Sequence, residues 1–294
     1  MLIKDVIGKI KAYSRGISEN GKPINDLTTR DQVLYGETEK ECTGIVTTCF
    51  ASVDVIRKAH ELGANLIISH EALFYNHGDH TDWLIETENK VFVAKKELLE
   101  SCSMTVWRNH DYIHSGIPDG KGGWDDGIFK GFLSETGLIG NYIPKINQAV
   151  RYYVPCDLAF DNESVESIAA KIIKGAGLNG LRIVGDPKKK ISRAQIPLHI
   201  MGLNDNETIK EVNRKDIDLL ITMEQIDFTV TEYMRDGHDL EMKKEMINVG
   251  HFNLEEPGMK YMLKWLPEAL GNEDIPLHFV KSGDPNHFLL AESL

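Results

Sequence analysis

The feature that most constrains this chain is Asn65-Leu66-Ile67-Ile68-Ser69-His70-Glu71, a short apolar run that ends abruptly in an imidazole and a carboxylate. An unbroken apolar run of this length reads as a strand buried on both faces. Before it, Gly44–Cys49 reads as another strand, Ser52 as the cap of a helix over Val53–Leu62, and Gly63 as the break between helix and strand. The result is a β-α-β unit, expected to be right-handed. Open α/β sheets build their sites at the carboxyl ends of strands, which is where His70 and Glu71 fall. The plain alternative is a surface His beside a surface Glu, so the reading turns on whether the pattern recurs.

It recurs twice. Met104–Arg108 reads as a strand and runs into Asn109-His110-Asp111-Tyr112-Ile113-His114, with two histidines four residues apart and therefore on one face of either a helical turn or an extended segment. Met246-Ile247-Asn248-Val249-Gly250 is a third apolar strand. It leads into His251-Phe252-Asn253-Leu254-Glu255, again with ligand-type residues four apart, before a helix over Pro257–Leu270. The candidate metal ligands are thus His70, Glu71, His110, His114, His251 and Glu255. Mixed imidazole and carboxylate donors suit Zn, Mn, Fe, Co or Ni, whereas Ca and Mg prefer oxygen alone. Six donors accommodate two divalent ions better than one. Two ions about 3.5–4 Å apart can activate a shared water for hydrolysis of a small molecule.

The rest of the chain sets the frame. Its 294 residues exceed one average domain, and 41% hydrophobic with 27% charged residues is ordinary for a globular protein. No apolar run approaches the roughly 18–20 residues needed to span a bilayer, so no membrane role is expected. The N-terminal segment, apolar at helical spacing but interrupted by charges, lacks the core of a signal peptide. Cys42, Cys49, Cys102 and Cys156 form no C-x-x-C pair and suit reduced thiols, which together with the N-terminus points to the cytoplasm. A net charge of −12 disfavours nucleic acid, and the one basic run, Lys188–Lys190, reads as a solvated turn.

Helices are expected over Asp5–Tyr13, from about Thr28–Asp31, over Thr87–Ser101, and after Trp124-Asp125-Asp126 with Asp125 as cap. Glu71–Trp83, holding His77 and His80, reads as an exposed mobile loop. From about Asn141 a second α/β lobe is expected. Its strands fall at Gln148–Val154, Leu181–Val184 and Ile217–Thr222, and its helices at Ser164–Lys174 and Glu207–Arg214. The expected class is α/β, with two lobes of mixed, mostly parallel sheets and a metal site at strand ends between the lobes. Residues 1–130 plus 240–294 would form the metal-binding lobe and 131–239 the second.

These motifs carry a resemblance. Ile67-Ile68-Ser69-His70-Glu71, His110-Asp111-Tyr112-Ile113-His114 and Gly250-His251-Phe252-Asn253-Leu254-Glu255 resemble I-I-x-H-H, H-T-x-x-D and G-H-x-x-[S/T]-E of the dinuclear-metal-centre hexameric family. These are the NGG-interacting-factor-three-like proteins, many of which bear a type 2 GTP cyclohydrolase-like label. Gly123–Asp126 and Leu181–Pro187 are also similar to the family, so the likeness spans most of the chain. Two positions depart reciprocally: Glu71 stands for a His and His114 for an Asp, which keeps three His and two carboxylates. The family's glycine-rich turn is reduced to Met201-Gly202-Leu203, and its T-G-E element is Thr222-Met223-Glu224.

The resemblance implies a homo-hexamer and a hydrolase of a small phosphorylated or heterocyclic, GTP cyclohydrolase-like substrate. Glu71 would bridge or activate, and His110 would act as ligand or base. Asp111 reads either as orienting ligands or a water or as a cap or turn residue, Glu224 as a solvated helix start ahead of such an orienting role, and His60, His199, His238, His278 and His287 as ordinary. The alternative is a non-catalytic metal-binding scaffold or metal-trafficking protein, which an open coordination position would argue against.

Overall fold

The computed structural model describes residues 1–290. It divides into two compact units, the first made of Met1–Gly131 and Gly258–Ser282, the second of Phe132–Pro257 and the residues from Gly283 onward. The elements through the first long segment are α1 (Ile3–Tyr13), β1 (Val33–Tyr35), β2 (Ile45–Thr48), α2 (Val53–Glu61), β3 (Leu66–Ser69), α3 (Asp82–Glu86), α4 (Lys90–Ser101), β4 (Thr105–Arg108), α5 (Asp111–Ser115), β5 (Ile117–Pro118), β6 (Trp124–Asp125) and α6 (Gly127–Glu135). Then follow β7 (Cys156–Ser164), α7 (Val165–Ala176), β8 (Arg182–Val184), β9 (Lys190–Ile196), α8 (Asn204–Lys215), β10 (Leu219–Thr222), α9 (Glu232–Asp239), β11 (Glu245–Asn248), α10 (His251–Tyr261), α11 (Leu266–Ala269) and β12 (Leu277–Phe279).

The first unit holds a sheet ordered β1-β4-β3-β2-β12, parallel except for the edge strand β1. Successive residues of β3 point to opposite faces, and the packing follows. Leu66 and Ile68 join Ile3, Val6 and Ile10 of α1 and Met259 and Leu266 on one face. Ile67 joins Val55, Ile56 and Leu99 of α2 and α4 on the other. Registers Thr48↔Ser69 and Ser69↔Arg108 end three neighbouring strands level. His70 and Asn109 therefore leave the sheet side by side. Within this unit Gly131 and Gly258 bring two backbones together, since a Cβ on Gly131 would lie 2.5 Å from the Gly258 Cα.

The second unit holds a sheet ordered β7-β9-β10-β11-β8, in which β9, β10 and β11 are parallel and the edge strands β7 and β8 antiparallel. Ser164 caps α7 by accepting the Ser167 N–H (3.3 Å), and Gly177 ends that helix in the left-handed region. After β11 the chain turns at Gly250, whose φ of +94° suits glycine, and enters α10 at His251.

The α/β class with two mixed, mostly parallel sheets is as expected, and local details differ. Thr28–Asp31 forms no helix, because Thr29 and Asp31 turn their side chains to the α5 segment instead. Gln148–Val154 forms no strand; β7 begins only at Cys156. Asp126, not Asp125, caps α6, accepting the N–H groups of Ile128 (2.9 Å) and Phe129 (2.8 Å). Among the described residues no helix is long and apolar enough to cross a membrane.

The segment 71–82, expected to be mobile, is tied down by two buried cations. Arg108, fully buried, donates to the carbonyls of His70 (3.1 Å) and His77 (2.8 Å) and to the carboxylates of Glu71 and Asp79 (2.9 Å each). Lys95, 2% exposed, donates to the Leu73 carbonyl (2.8 Å) and lies over the Phe50 ring at 4.4 Å. Removing one partner of a buried ion pair strands the other. Arg108→Met is therefore expected to lower unfolding free energy by roughly 3–5 kcal/mol in urea titration, and a change below about 1 kcal/mol would show that the segment does not depend on it. Burial lowers the Lys95 pKa from 10.5 to about 8. The folded chain thus binds fewer protons than the unfolded chain between those values, and stability should rise with pH across that window. In Lys95→Met that rise should vanish; an unchanged slope would contradict it.

Candidate metal centre

In the first unit the level strand ends bring three histidines together. The ring centroids are 4.7 Å apart for His70 and His110, 5.0 Å for His70 and His114, and 5.1 Å for His110 and His114. One ligand-type nitrogen from each can be chosen so that all three lie within 4.8 Å of one another. Every ring has its Nδ1 against an oxygen. His70 Nδ1 donates to the Asn109 carbonyl (3.1 Å), His110 Nδ1 to Asp111 Oδ1 (2.9 Å), and His114 Nδ1 to Asp126 Oδ2 (2.7 Å). A carbonyl can only accept, so the proton of His70 sits on Nδ1 and the lone pair on Nε2. Carboxylates impose the same tautomer on the other two. This is the arrangement by which proteins orient metal-binding imidazoles.

The acceptors are themselves fixed. Asp111 accepts from Thr29 Oγ1 (2.7 Å) and from the Arg30 N–H (3.0 Å). Burial opposes its ionisation, but the bonds from His110, Arg30 and Thr29 outweigh this and hold its carboxyl well below the usual range. Asp31 accepts the backbone N–H groups of His110, Asp111 (2.7 Å each) and Tyr112 (2.9 Å), which anchors the start of α5; burial nonetheless raises its pKa to about 6. Asp126 caps α6 with Oδ1 while holding His114 with Oδ2. Burial lowers His110 to about 3, so its ring is neutral around pH 7, as a ligand must be.

Glu71 follows His70 directly and is 4% exposed. Its Oε2 pairs with Arg108, with His77 Nδ1 at 3.5 Å. His77 leans edge-on to His110, with centroids 5.9 Å apart, and is brought there by the Arg108 contacts.

In the second unit α10 places His251 and Glu255 on one face, with His251 Nε2 3.3 Å from Glu255 Oε2. Nδ1 of the same ring lies 2.9 Å from Glu224 Oε1, at the end of β10. A neutral imidazole has one N–H and one lone pair, so one nitrogen of the His251 ring can bind a carboxylate while the other is available to an ion. Donor chemistry at both units therefore fits divalent transition metals. His199, read from sequence as ordinary, also places Nδ1 2.9 Å from Glu224 Oε1. Burial raises the Glu224 pKa, but bonds from the two imidazoles outweigh it and hold the carboxyl at about 2. Asp126, Asp31, Arg108 and His199 were not legible as site residues. A cap-position acid was the only local signal, and it pointed to Asp125.

The family model described as Duf34/NIF3 (NGG1p interacting factor 3) matches residues 147–285. The GTP cyclohydrolase 1 type 2 homolog of Clostridium perfringens is 24% identical over 278 residues, covering 93% of this chain and 97% of that one. In fold, the chain is similar to the Staphylococcus aureus hypothetical protein SA1388, with a TM-score of 0.67 at 18% identity over 98% of this chain and 99% of that one. A Bacillus cereus protein related to NIF3 gives a TM-score of 0.66 at 13% identity, with the same coverage. The chain is thus similar to Duf34/NIF3 proteins over residues 147–285 by family model and shares the fold of these solved structures over nearly its whole length.

Proposed function

We propose that this chain is a dinuclear metal-dependent hydrolase of a small phosphorylated or heterocyclic, nucleotide-like substrate. The observation that carries the reading is the trio His70, His110 and His114, each oriented through Nδ1 by an oxygen of the protein. In this reading those imidazoles hold one divalent ion of the Zn, Mn, Fe, Co or Ni group, with Glu71 beside them supplying negative charge. His251 holds the second ion in the other unit, with Glu255 and Glu224 at its two nitrogens. When bound, such an ion polarises a carbonyl or phosphoryl group and lowers the pKa of a water to about 7. The chain's own part is orientation. Asn109, Asp111 and Asp126 keep the rings in one tautomer, and Arg108 pairs with the Glu71 carboxyl beside them. The name of the Clostridium perfringens relative makes GTP the first substrate to try. The reading also places the chain in the cytoplasm, where the spacing of its four cysteines, without a C-x-x-C pair, suits reduced thiols.

Chain purified without chelator should carry two ions, and His70→Ala and His251→Ala should each lose one. The loaded protein should turn over a compound in a panel of GTP, other nucleotides, phosphomonoesters and cyclic amides, and lose that turnover on metal removal. Protein that binds none of the five ions would refute the reading. Two ions without metal-dependent turnover would favour a non-catalytic scaffold. We infer further that the chain assembles as a homo-hexamer, a reading supported by the family resemblance and by exposed Trp83, Ile85 and Val91 in the first unit. Sedimentation at micromolar concentration should give six times the chain mass; a monomer would contradict it.

A further inference from the structure

Asn109 follows β4 directly, and its backbone is fully engaged: the N–H donates to the Ser69 carbonyl (2.8 Å) and the carbonyl accepts from His70 Nδ1 (3.1 Å). Its side chain is a different matter. The residue is 0% exposed, yet neither Oδ1 nor Nδ2 has a hydrogen-bond partner among the described residues. Burying an amide without partners costs free energy that folded chains ordinarily avoid, so such a group calls for an explanation. Buried asparagines of the second unit are bonded in the usual way. Asn248 accepts from Arg182 Nη2 (2.7 Å) and donates to Thr222 Oγ1 (3.2 Å), and Asn253 donates to the Val249 carbonyl (3.0 Å).

Strand register locates the amide. Ile68 pairs with Trp107 and Ser69 with Arg108, and the bond from the Asn109 N–H to Ser69 carries the ladder one step further. His70 and Asn109 therefore stand level on neighbouring strands. Ile68 and Trp107 pack into the same cluster on one face, and alternation returns His70 and Asn109 to that face. Strands lie about 4.8 Å apart, so the amide starts beside the His70 ring, whose Nδ1 proton leaves Nε2 for an ion. An amide offers a donor and an acceptor side by side and adds no charge. A carbonyl oxygen would satisfy Nδ2 alone. A phosphoryl group can satisfy both ends, taking the Nδ2–H on one oxygen and, when protonated, giving an O–H to Oδ1 from another.

We propose that the Asn109 side-chain amide binds the phosphoryl group of the substrate beside the ion held at His70. The inference rests on the reading of His70 as a metal ligand, and it adds a substrate-binding residue that contributes no donor atom to the metal. The two functions of Asn109 are separable, because the backbone carbonyl that orients His70 survives any substitution of the side chain.

The test uses full-length chain, metal-free and loaded with Co²⁺, with inorganic phosphate as the probe. Asn109→Leu removes both polar ends at similar shape, and Asn109→Ala repeats each measurement without added bulk. Both variants should take up as much Co²⁺ as wild type. Loaded with Co²⁺, they should bind phosphate roughly 10–100-fold more weakly by calorimetry and visible absorption, the loss expected for a hydrogen bond to a charged group. In urea titration, metal-free Asn109→Leu should unfold no more easily than wild type, since no bond within the protein is lost. The proposal is overturned if phosphate affinity is unchanged, if Co²⁺ uptake falls, or if both metal-free variants lose about tenfold or more in folding constant, the mark of an amide bonded within the protein. Wild type that takes up no Co²⁺ would refute the metal reading and this inference with it. Wild type that takes up Co²⁺ but binds phosphate no better than Asn109→Leu would refute this inference alone.

Discussion

Everything in the first unit's candidate centre depends on where three imidazole protons are held. A neutral imidazole has one N–H and one lone pair, so the acceptor that captures the N–H decides which nitrogen can coordinate an ion. Asn109, Asp111 and Asp126 capture it at Nδ1 in His70, His110 and His114. None of the three acceptors stands alone. Asn109 donates its own N–H to Ser69 across the sheet (2.8 Å), Asp111 is tied to Thr29 and Arg30, and Asp126 caps a helix. Backbone geometry thus reaches the ring nitrogens through these acceptors, and the fold orients the rings.

The reciprocal exchange at positions 71 and 114 also has a physical account. A carboxylate at 71 would be expensive to bury beside three histidines unless a cation met it. Arg108, one strand away and fully buried, is that cation, and it binds Asp79 and two carbonyls as well. A histidine at 114 in turn needs an acceptor for its second nitrogen, and Asp126 provides one. Both exchanged positions therefore come with a partner, which is how an altered donor set remains compatible with a packed interior.

Strands β2, β3, β4, β10 and β11, as continuous apolar runs, and helices α2 and α7, as capped amphipathic segments, were legible because their signal is local, whereas β1, β7, β9 and β12 carry no such run and went unread. The strand ends that carry His70, His110 and His251 were legible for the same reason. What stayed hidden depends on pairings between residues far apart in sequence. Thr29 and Asp31 looked like a helix start because Thr and Asp favour such positions. Thr29 serves instead as donor and Asp31 as acceptor for the α5 segment about eighty residues later. Arg108 read as the last residue of a strand, with nothing nearby to announce four acceptors. His199 was passed over because the residues that make it notable are remote in sequence: Glu224 lies 25 residues after it, and His251 a further 27 residues on.

Whether the strand-end histidines bind metal is read most directly by X-ray absorption at the cobalt edge of the full-length chain loaded with Co²⁺. The expected result is a nitrogen-rich shell with the multiple-scattering pattern of imidazole, diminished when His70 is replaced by Ala. A shell of oxygen donors alone, the same in wild type and variant, would contradict it.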